Sequence, residues 1–306
     1  MTLISVLLGL FLDRMLFFHR DSPVARWFAR YIELVSARLP AGWEGVGGVV
    51  TIILPPTIVL LLLQWTVASW LFGLAGIVLG VAVLLYTLGP LDIANIAEDY
   101  VDASRAGDSE RTRWYFEQLI GEAPPASRQD EGRRMVAAVL YQGHDNLFAT
   151  VFWFCLLGPA GALLYRLAAE LALCPGAVVG ERPALLRAAH FTLGVLGWIP
   201  TRLIAFGYAM TGSFEEALGR LRGSFRTSDD LLASNRRLLV AAGSAALRQD
   251  AGQAEQVPGD EAREEGTERR SGEPADVVDA ARALVLRTGV LWLAVLALLT
   301  LGGWFG

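Results

Sequence analysis

Three consecutive polar residues, His144, Asp145 and Asn146, follow Gly143 and immediately precede a long apolar stretch. A carboxylate, an amide and an imidazole at a helix N-terminus suit capping, because they can satisfy the free backbone N–H groups there. The same oxygen atoms suit Mg²⁺, which prefers oxygen ligands and usually keeps several waters while it bridges phosphates. The sequence leaves both interpretations open.

A second acidic group begins at Asp92, which follows a helix-ending Gly-Pro pair. Glu98 and Asp99 lie about two turns later, so a helix would bring one of them over the same surface. Arg202 comes from a later apolar stretch. Carboxylates with a nearby arginine suit a phosphate-bearing ligand such as a nucleotide, with Mg²⁺ held by Asp92 and Asp145 and the guanidinium binding the phosphate oxygens. The alternative is a network of caps and salt bridges that orders the helix ends.

Apolar stretches long enough to cross a bilayer must position these residues, since a core of about 30 Å needs about 20 mostly apolar residues in a helix. Five stretches qualify: residues 46–65, 66–89, 147–172, 190–212 and 285–305. The first 18 residues predict a short or partly inserted sixth helix that carries Asp13 near its end. The sequence therefore predicts an all-α, polytopic integral membrane protein with five or six transmembrane helices.

The third stretch contains its own interruption, Gly158-Pro159-Ala160-Gly161. Unwound backbone at membrane depth is tolerated only against protein or a wet cavity, so this break points to a functional bundle interior. Arg166 follows in the same stretch. An arginine at that depth either faces the bundle or extends to the lipid headgroups.

Arginine placement predicts the orientation of the chain. Residues 19–45, 90–146 and 213–284 hold 20 of the 26 arginines, which assigns these three segments to the cytoplasm. Helical spacing over residues 93–101 is followed by an Ala-Gly-Asp turn at 106–108, a second helix from about Ser109 to Ile120 and a loop at 123–132.

The domain prediction follows from these segments. Residues 1–248 form one membrane domain, which includes cytoplasmic helices at about 91–146 and 213–248. Residues 249–275 are almost free of apolar side chains and are predicted to be a disordered acidic linker. Residues 276–306 form a C-terminal transmembrane helix of the same domain.

Composition excludes several classes of protein. The 306 residues are 54% hydrophobic and 19% charged, with a mean hydropathy of +0.43. These values exclude a disordered chain and an ordinary soluble enzyme. A net charge of -5 argues against nucleic-acid binding. All basic residues are arginine, so Schiff-base and P-loop lysines are excluded, and no GxSxG, HExxH or CxxC motif occurs.

Three segments taken together, LFATVFWFCLLGPAGALLYRLA, GWIPTRLIAF and YTLGPLDI…EDYVDASRAGD, resemble the AmpE family of inner-membrane proteins. These proteins accompany a peptidoglycan-recycling amidase and are implicated in control of β-lactamase induction. The same landmarks resemble, more distantly, the CobD/CbiB family of cobalamin-pathway synthases. Those membrane enzymes join an amino-alcohol phosphate to a corrinoid carboxylate with Mg²⁺ and ATP. The N-terminal LLGLFLDRML and SPVARWFARYIE are similar to that family's opening aspartate, here Asp13, and its Pro-Val-Arg segment.

The synthase pattern is only partly retained. Its acidic-Asn pair is followed by Asp-Gly, whereas here His144-Asp145-Asn146 is followed by Leu147-Phe148-Ala149. Its Tyr-Arg matches Tyr165-Arg166, but LAAELA replaces the Asn-Thr-Leu-Asp-Ser-Met that follows. The Pro-x-Arg element is intact as Pro200-Thr201-Arg202, and Asn235 suggests the late Asn-containing stretch. A retained scaffold with much of the chemistry lost favours AmpE over the synthase.

The AmpE resemblance implies a regulatory or sensory modulator of peptidoglycan recycling and β-lactamase induction, more a signalling protein than an enzyme. It also implies that the protein lies in the bacterial inner membrane. The implied partners are the lipid bilayer and cell-wall recycling or signalling proteins. The alternatives are an amide-forming corrinoid synthase that depends on Mg²⁺ and ATP, and a transport or ligand-binding module. The candidate ligand-binding residues are Asp13, Asp92, Glu98, Asp99, His144, Asp145, Asn146, Tyr165, Arg166 and Arg202.

Overall fold

The computed structural model describes residues 2–15, 23–38, 45–67, 74–88, 92–173, 182–211, 230–247 and 274–302. All regular secondary structure within these ranges is helical. The α-helices are α1 (Thr2–Met15), α2 (Pro23–Ala37), α3 (Val46–Val67), α4 (Leu74–Thr87), α5 (Asp92–Arg105), α6 (Ser109–Ile120), α7 (Arg128–Gly143), α8 (Ala149–Leu157), α9 (Pro159–Leu173), α10 (Pro183–Thr211), α11 (Leu231–Ala246) and α12 (Pro274–Leu301).

Helices α3, α10 and α12 are long and apolar enough to cross a membrane. The apolar part of α1 (Leu3–Leu12) and α4 are shorter, and these two helices pack against each other. Large apolar side chains on the outer surface are exposed, including Trp65 at 83% and Leu298 at 70%. Such a surface is stable against lipid and costly against water. The prediction of an all-α membrane protein is confirmed.

The predicted third span is not a single helix. Helices α7 and α8 are joined by a π-helical segment, His144–Phe148, and form one continuous helix over residues 128–157. The chain then reverses at Gly158, whose φ of 70° and ψ of −158° suit a residue without Cβ, and α9 begins at Pro159. The predicted break is confirmed, but it ends in a hairpin because α9 runs back along α8.

Close contacts along the hairpin show that its two arms are antiparallel. The Tyr165 hydroxyl of α9 lies 3.1 Å from Oδ1 of Asp145, at the far end of the other arm. Nearer the turn, a Cβ added to Gly161 would lie 2.2 Å from the carbonyl oxygen of Trp153. An apolar run of this length has the same composition whether it crosses once or folds back, which is why the sequence predicted one span.

Gln64, near the end of α3, satisfies the backbone at the reversal. Its Nε2 donates to the Leu157 carbonyl at 3.5 Å, and its Oε1 accepts from the Ala160 N–H at 3.2 Å. The break leaves backbone groups without helical partners, and a side-chain amide can serve a donor and an acceptor together. The apolar helix α3 therefore supplies the polar group that the turn requires.

Helices α5, α6 and α7 form a compact unit against the first half of α12. The predicted turn between α5 and α6 is confirmed: Gly107 has a φ of 73°, and the Asp108 side chain caps α6. The loop predicted at 123–132 is shorter than expected, because α7 begins at Arg128. Tyr100 is buried in this unit and donates to Glu131 at 2.8 Å, and both effects raise the pKa of Tyr100 above its usual value.

The C-terminal part of the chain is described from residue 230. Asp230 caps α11, which packs tightly on α10. A Cβ added to Gly194 of α10 would lie 2.8 Å from the Leu232 backbone nitrogen. The acidic linker predicted at 249–275 lies outside the described residues, apart from its last two positions, where α12 begins at Pro274.

Candidate functional site

The predicted polar group lies in the π-helical segment, in the middle of a continuous helix. The interpretation of this group as the N-terminal cap of a third span is therefore wrong, since the preceding residues are already helical. A π-helical turn widens the helix locally and alters the direction of its side chains, and such turns occur frequently at functional sites. Here it turns His144 and Asp145 into the protein interior, where their side chains are 3% and 11% exposed.

His144 connects Asp145 to helix α10. Its Nδ1 lies 2.8 Å from Oδ1 of Asp145, and its Nε2 lies 3.2 Å from the hydroxyl of the fully buried Thr201. An ionised carboxylate only accepts hydrogen bonds, so Nδ1 of His144 donates to Asp145, while Nε2 and the Thr201 hydroxyl share the second hydrogen bond. This chain of hydrogen bonds fixes the orientation of the imidazole and the direction of the carboxylate.

Asp145 is the centre of the site. Oδ1 also accepts from Tyr165, a fully buried residue of α9, and Oδ2 lies 4.0 Å from Nη2 of Arg236 on α11. A carboxylate with little exposure is stable only when hydrogen bonds and positive charge compensate for lost hydration. Helices α9, α10 and α11 each supply part of that compensation.

Arg166 lies beside this centre on α9. Its Nη1 donates to Oδ1 of Asn146 at 3.1 Å, and its Nη2 forms an ion pair with Glu170. The structure therefore joins five of the predicted residues in two groups: His144 and Tyr165 contact Asp145, and Arg166 contacts Asn146. Glu170 lies four residues after Arg166, which is also the position of the aspartate in the synthase pattern after its Tyr-Arg. A carboxylate is thus retained within the LAAELA segment, where the sequence otherwise departs from the synthase pattern.

Arg202 lies in an adjoining group of contacts and not on Asp145 itself. Its guanidinium stacks 3.7 Å from the Trp198 ring centroid and donates to the Trp198 carbonyl at 2.9 Å and to Oδ1 of Asn235 at 3.5 Å. Asn235 in turn donates to the Gly194 carbonyl at 2.8 Å. Gly197 lies between Asn235 and His144, since an added Cβ would be within 4 Å of both. The Arg202 group and the Asp145 group are therefore neighbours.

Arg236 belongs to the site but, like Glu170, is not among the candidate residues predicted from the sequence. Its guanidinium lies 4.8 Å from the Tyr141 ring centroid and 4.0 Å from Asp145. The sequence contained one signal, an Asn-Arg-Arg run at 235–237 within an otherwise apolar helix. That run did not show which of the two arginines faces the interior.

The other predicted residues are not joined to this group by described contacts. Glu98 forms an ion pair with Arg282 of α12 at 2.9 Å, and Asp99 is exposed on α5. Asp13 and Asp92 lie in α1 and at the start of α5, and their side chains are outside the described residues. Within the described part of the chain, no three His, Cys, Asp or Glu side chains are arranged to hold a metal ion.

The fold and this site define a class: an all-α membrane protein in which a folded-back helical hairpin and two further helices enclose a charged centre. The chain matches the CobD/Cbib protein family over residues 6–286. It therefore belongs to the CobD/CbiB family.

Curated relatives agree with this assignment. A cobalamin biosynthesis protein CobD from Stutzerimonas stutzeri is 30% identical over 256 residues, which is 80% of each chain. A cobalamin biosynthesis protein CobD from Chromobacterium violaceum is 33% identical over 168 residues, and this match spans about half of either chain (51%). No solved structure matches the chain. These comparisons give no support to the AmpE resemblance, so the preference for AmpE over the synthase family is corrected.

Proposed function

We propose that this protein is a membrane-bound, amide-forming enzyme of the CobD/CbiB type, which joins an amino-alcohol phosphate to a corrinoid carboxylate. The observation that carries the proposal is a buried carboxylate, Asp145, that lies 4.0 Å from Arg236. Two further arginines lie in adjoining contacts, Arg166 on Asn146 and Arg202 on Asn235. Guanidinium groups bind phosphate oxygens in a bidentate manner, and a carboxylate suits an ammonium group. Family membership supports the same reaction class.

In this proposal Asp145 has two roles. It binds the ammonium group of the amino alcohol, and it accepts the proton that the nitrogen must lose before it can attack a carbonyl carbon. His144 and Tyr165 hold the carboxylate in one direction through Oδ1, which leaves Oδ2 facing Arg236. Such orientation of a base lowers the entropic cost of proton transfer.

The proposal includes Mg²⁺ and a nucleotide, whose chemistry is to activate the carboxylate partner by transfer of a phosphoryl or nucleotidyl group. Of the two predicted metal ligands, Asp145 has its side chain described, and its Oδ2 accepts no hydrogen bond within the described contacts. Mg²⁺ is usually bound by one or two carboxylates together with substrate phosphates and water. Because Oδ2 of Asp145 binds the ammonium group in this proposal, the ion would be held mainly by the phosphates of the nucleotide and by water.

A second candidate function is binding of a phosphate-bearing ligand without chemistry, as in a regulatory or sensory protein. One observation favours it. Where the synthase pattern has Asp-Gly, this chain has apolar residues, and Phe148 and Ala149 are buried in hydrophobic clusters. No second carboxylate is available from that turn of the helix.

The test is amide formation by the purified protein in lipid nanodiscs. The reaction contains ethanolamine phosphate, a corrinoid with a free carboxylate, Mg²⁺ and ATP, and mass spectrometry detects the amide. We expect product from the native protein and a loss of about 100-fold or more in Asp145→Asn, which retains shape and loses the base. The control Asp102→Asn, at an exposed position of α5, is expected to match the native rate. Ligand binding without any product would contradict the enzyme and favour the second candidate.

A further inference from the structure

Arg236 differs from the other two arginines of the site in having an unused edge. Arg166 donates to Asn146 and Glu170, and Arg202 donates to a backbone carbonyl. Nε of Arg236, by contrast, is buried and has no hydrogen-bond partner within the described part of the chain. Its Nη2 approaches Asp145 Oδ2 only to 4.0 Å, beyond hydrogen-bonding distance.

A buried donor without an acceptor is unfavourable, and in native structures it calls for an explanation such as a missing ligand. A cation–π contact helps to hold Arg236 in this position, since its guanidinium carbon lies over the Tyr141 ring, 4.8 Å from the centroid. Nε and Nη2 share one edge of that plane, and this edge presents two parallel N–H groups. The geometry is that of a fork prepared for two oxygen atoms of one anion.

We propose that Arg236 is the residue that binds the phosphate of a short zwitterionic phosphate monoester, through Nε and Nη2, while Asp145 binds the ammonium end of the same molecule. The proposal rests on the proposed function and adds to it a specificity-determining residue. The opposite charges of Arg236 and Asp145 lie side by side without a hydrogen bond, so one molecule carrying both charges can satisfy both.

Arg166 adds a second guanidinium group beside this position. It follows Tyr165 on α9 and donates to Asn146, the residue after Asp145. Because its charge is already paired with Glu170, the ligand phosphate is assigned to Arg236. The ligand chemistry could come from the free ester or from a phosphatidylethanolamine headgroup, which carries a phosphate diester with one negative charge.

The test measures the Kd of ethanolamine phosphate by isothermal titration with the full chain in phosphatidylcholine nanodiscs. We expect Arg236→Lys to weaken binding about 10-fold or more, because lysine retains the charge and loses the fork. The matched control is Arg237→Lys, the next residue of α11, which is exposed and contacts the Ala233 carbonyl. It is expected to stay within about 2-fold of the native Kd.

Two further measurements complete the test. Tyr141→Leu removes the aromatic ring that contacts Arg236 and is expected to weaken binding although Arg236 itself is retained. This variant keeps the proposal testable if Arg236→Lys does not fold. Nanodiscs of phosphatidylethanolamine are expected to leave the Kd unchanged, and competition by that lipid would overturn the assignment to a free monoester.

An unchanged Kd in folded Arg236→Lys would overturn the role of Arg236, even if amide formation is observed. Binding that depends on Arg236 without amide formation would instead contradict only the proposed function.

Discussion

At the scale of single residues, the site depends on a buried network in which every member fixes the next. Thr201 shares a hydrogen bond with His144, His144 bonds to Asp145, and Tyr165 donates to the same carboxylate. Hydrogen bonds in such an interior are strong when complete and costly when one partner is missing. The network therefore determines both where the carboxylate points and how stable the bundle is around it.

Thr201→Val tests that network directly. Valine has nearly the shape of threonine but leaves Nε2 of His144 without its hydrogen-bond partner at a fully buried position. We expect the free energy of unfolding to fall by about 1–3 kcal/mol. Thr201→Ser retains the hydroxyl and is expected to lose less. Denaturation followed by circular dichroism in detergent micelles measures both variants, and equal stability of the two would contradict the importance of the hydrogen bond.

At the scale of elements, the reversal between α8 and α9 brings Tyr165 and Arg166 to the π-helical segment. The reversal requires close approach of two helices, and glycine permits it. At Gly161 an added Cβ would meet the backbone oxygen of Trp153 at 2.2 Å, and backbone cannot move aside as a side chain can.

Gly161→Ala is therefore expected to lower the free energy of unfolding by about 3 kcal/mol or more, because the hairpin arms must separate. The matched control is Gly76→Ala in α4, where an added Cβ meets nothing within 4 Å. That change is expected to be neutral or to stabilise the protein by up to about 1 kcal/mol through helix propensity. Thermal unfolding in detergent compares the two, and similar melting temperatures would show that the hairpin arms do not pack as described.

At the scale of the whole molecule, the hairpin alters how the chain crosses the membrane. A single span over 147–172 would put its two ends on opposite sides, whereas antiparallel α8 and α9 return the end of α9 to the side on which α7 lies. Among the described residues, the helices long enough to span, α3, α10 and α12, surround this element or pack near it.

Cysteine labelling in sealed vesicles tests this topology after both native cysteines are replaced by serine. Gln129→Cys on α7 and Leu173→Cys at the end of α9, both exposed, are expected to react with a membrane-impermeant maleimide from the same side. Leu157→Cys, at the exposed tip of the hairpin, is expected to remain unlabelled from that side. Labelling of Gln129→Cys and Leu173→Cys from opposite sides would contradict the hairpin and support a single span over residues 147–172.

The sequence by itself determined the class of the protein and much of its local structure. Massed apolar residues dictate membrane helices because bilayer thickness fixes helix length, and the turn between α5 and α6 follows from Gly107 and Asp108. The sequence also identified Asp145, Tyr165 and Arg166, through polarity next to an apolar run and through family resemblance. These signals are local, so they can be read along the chain.

Only the tertiary structure decided which polar residues meet. The reversal at Gly158 depends on an amide supplied by Gln64, almost a hundred residues earlier, and apolar composition is the same with or without it. The role of Arg236 depends on which face of α11 packs against α7, a fact that the run Asn-Arg-Arg does not contain. Glu98 is paired with Arg282 because α5 packs on α12. The spacing of Glu98 from Asp92 in the sequence was equally compatible with a place in the predicted group around Asp145. Contacts between distant segments are set by packing, and packing is a property of the folded chain.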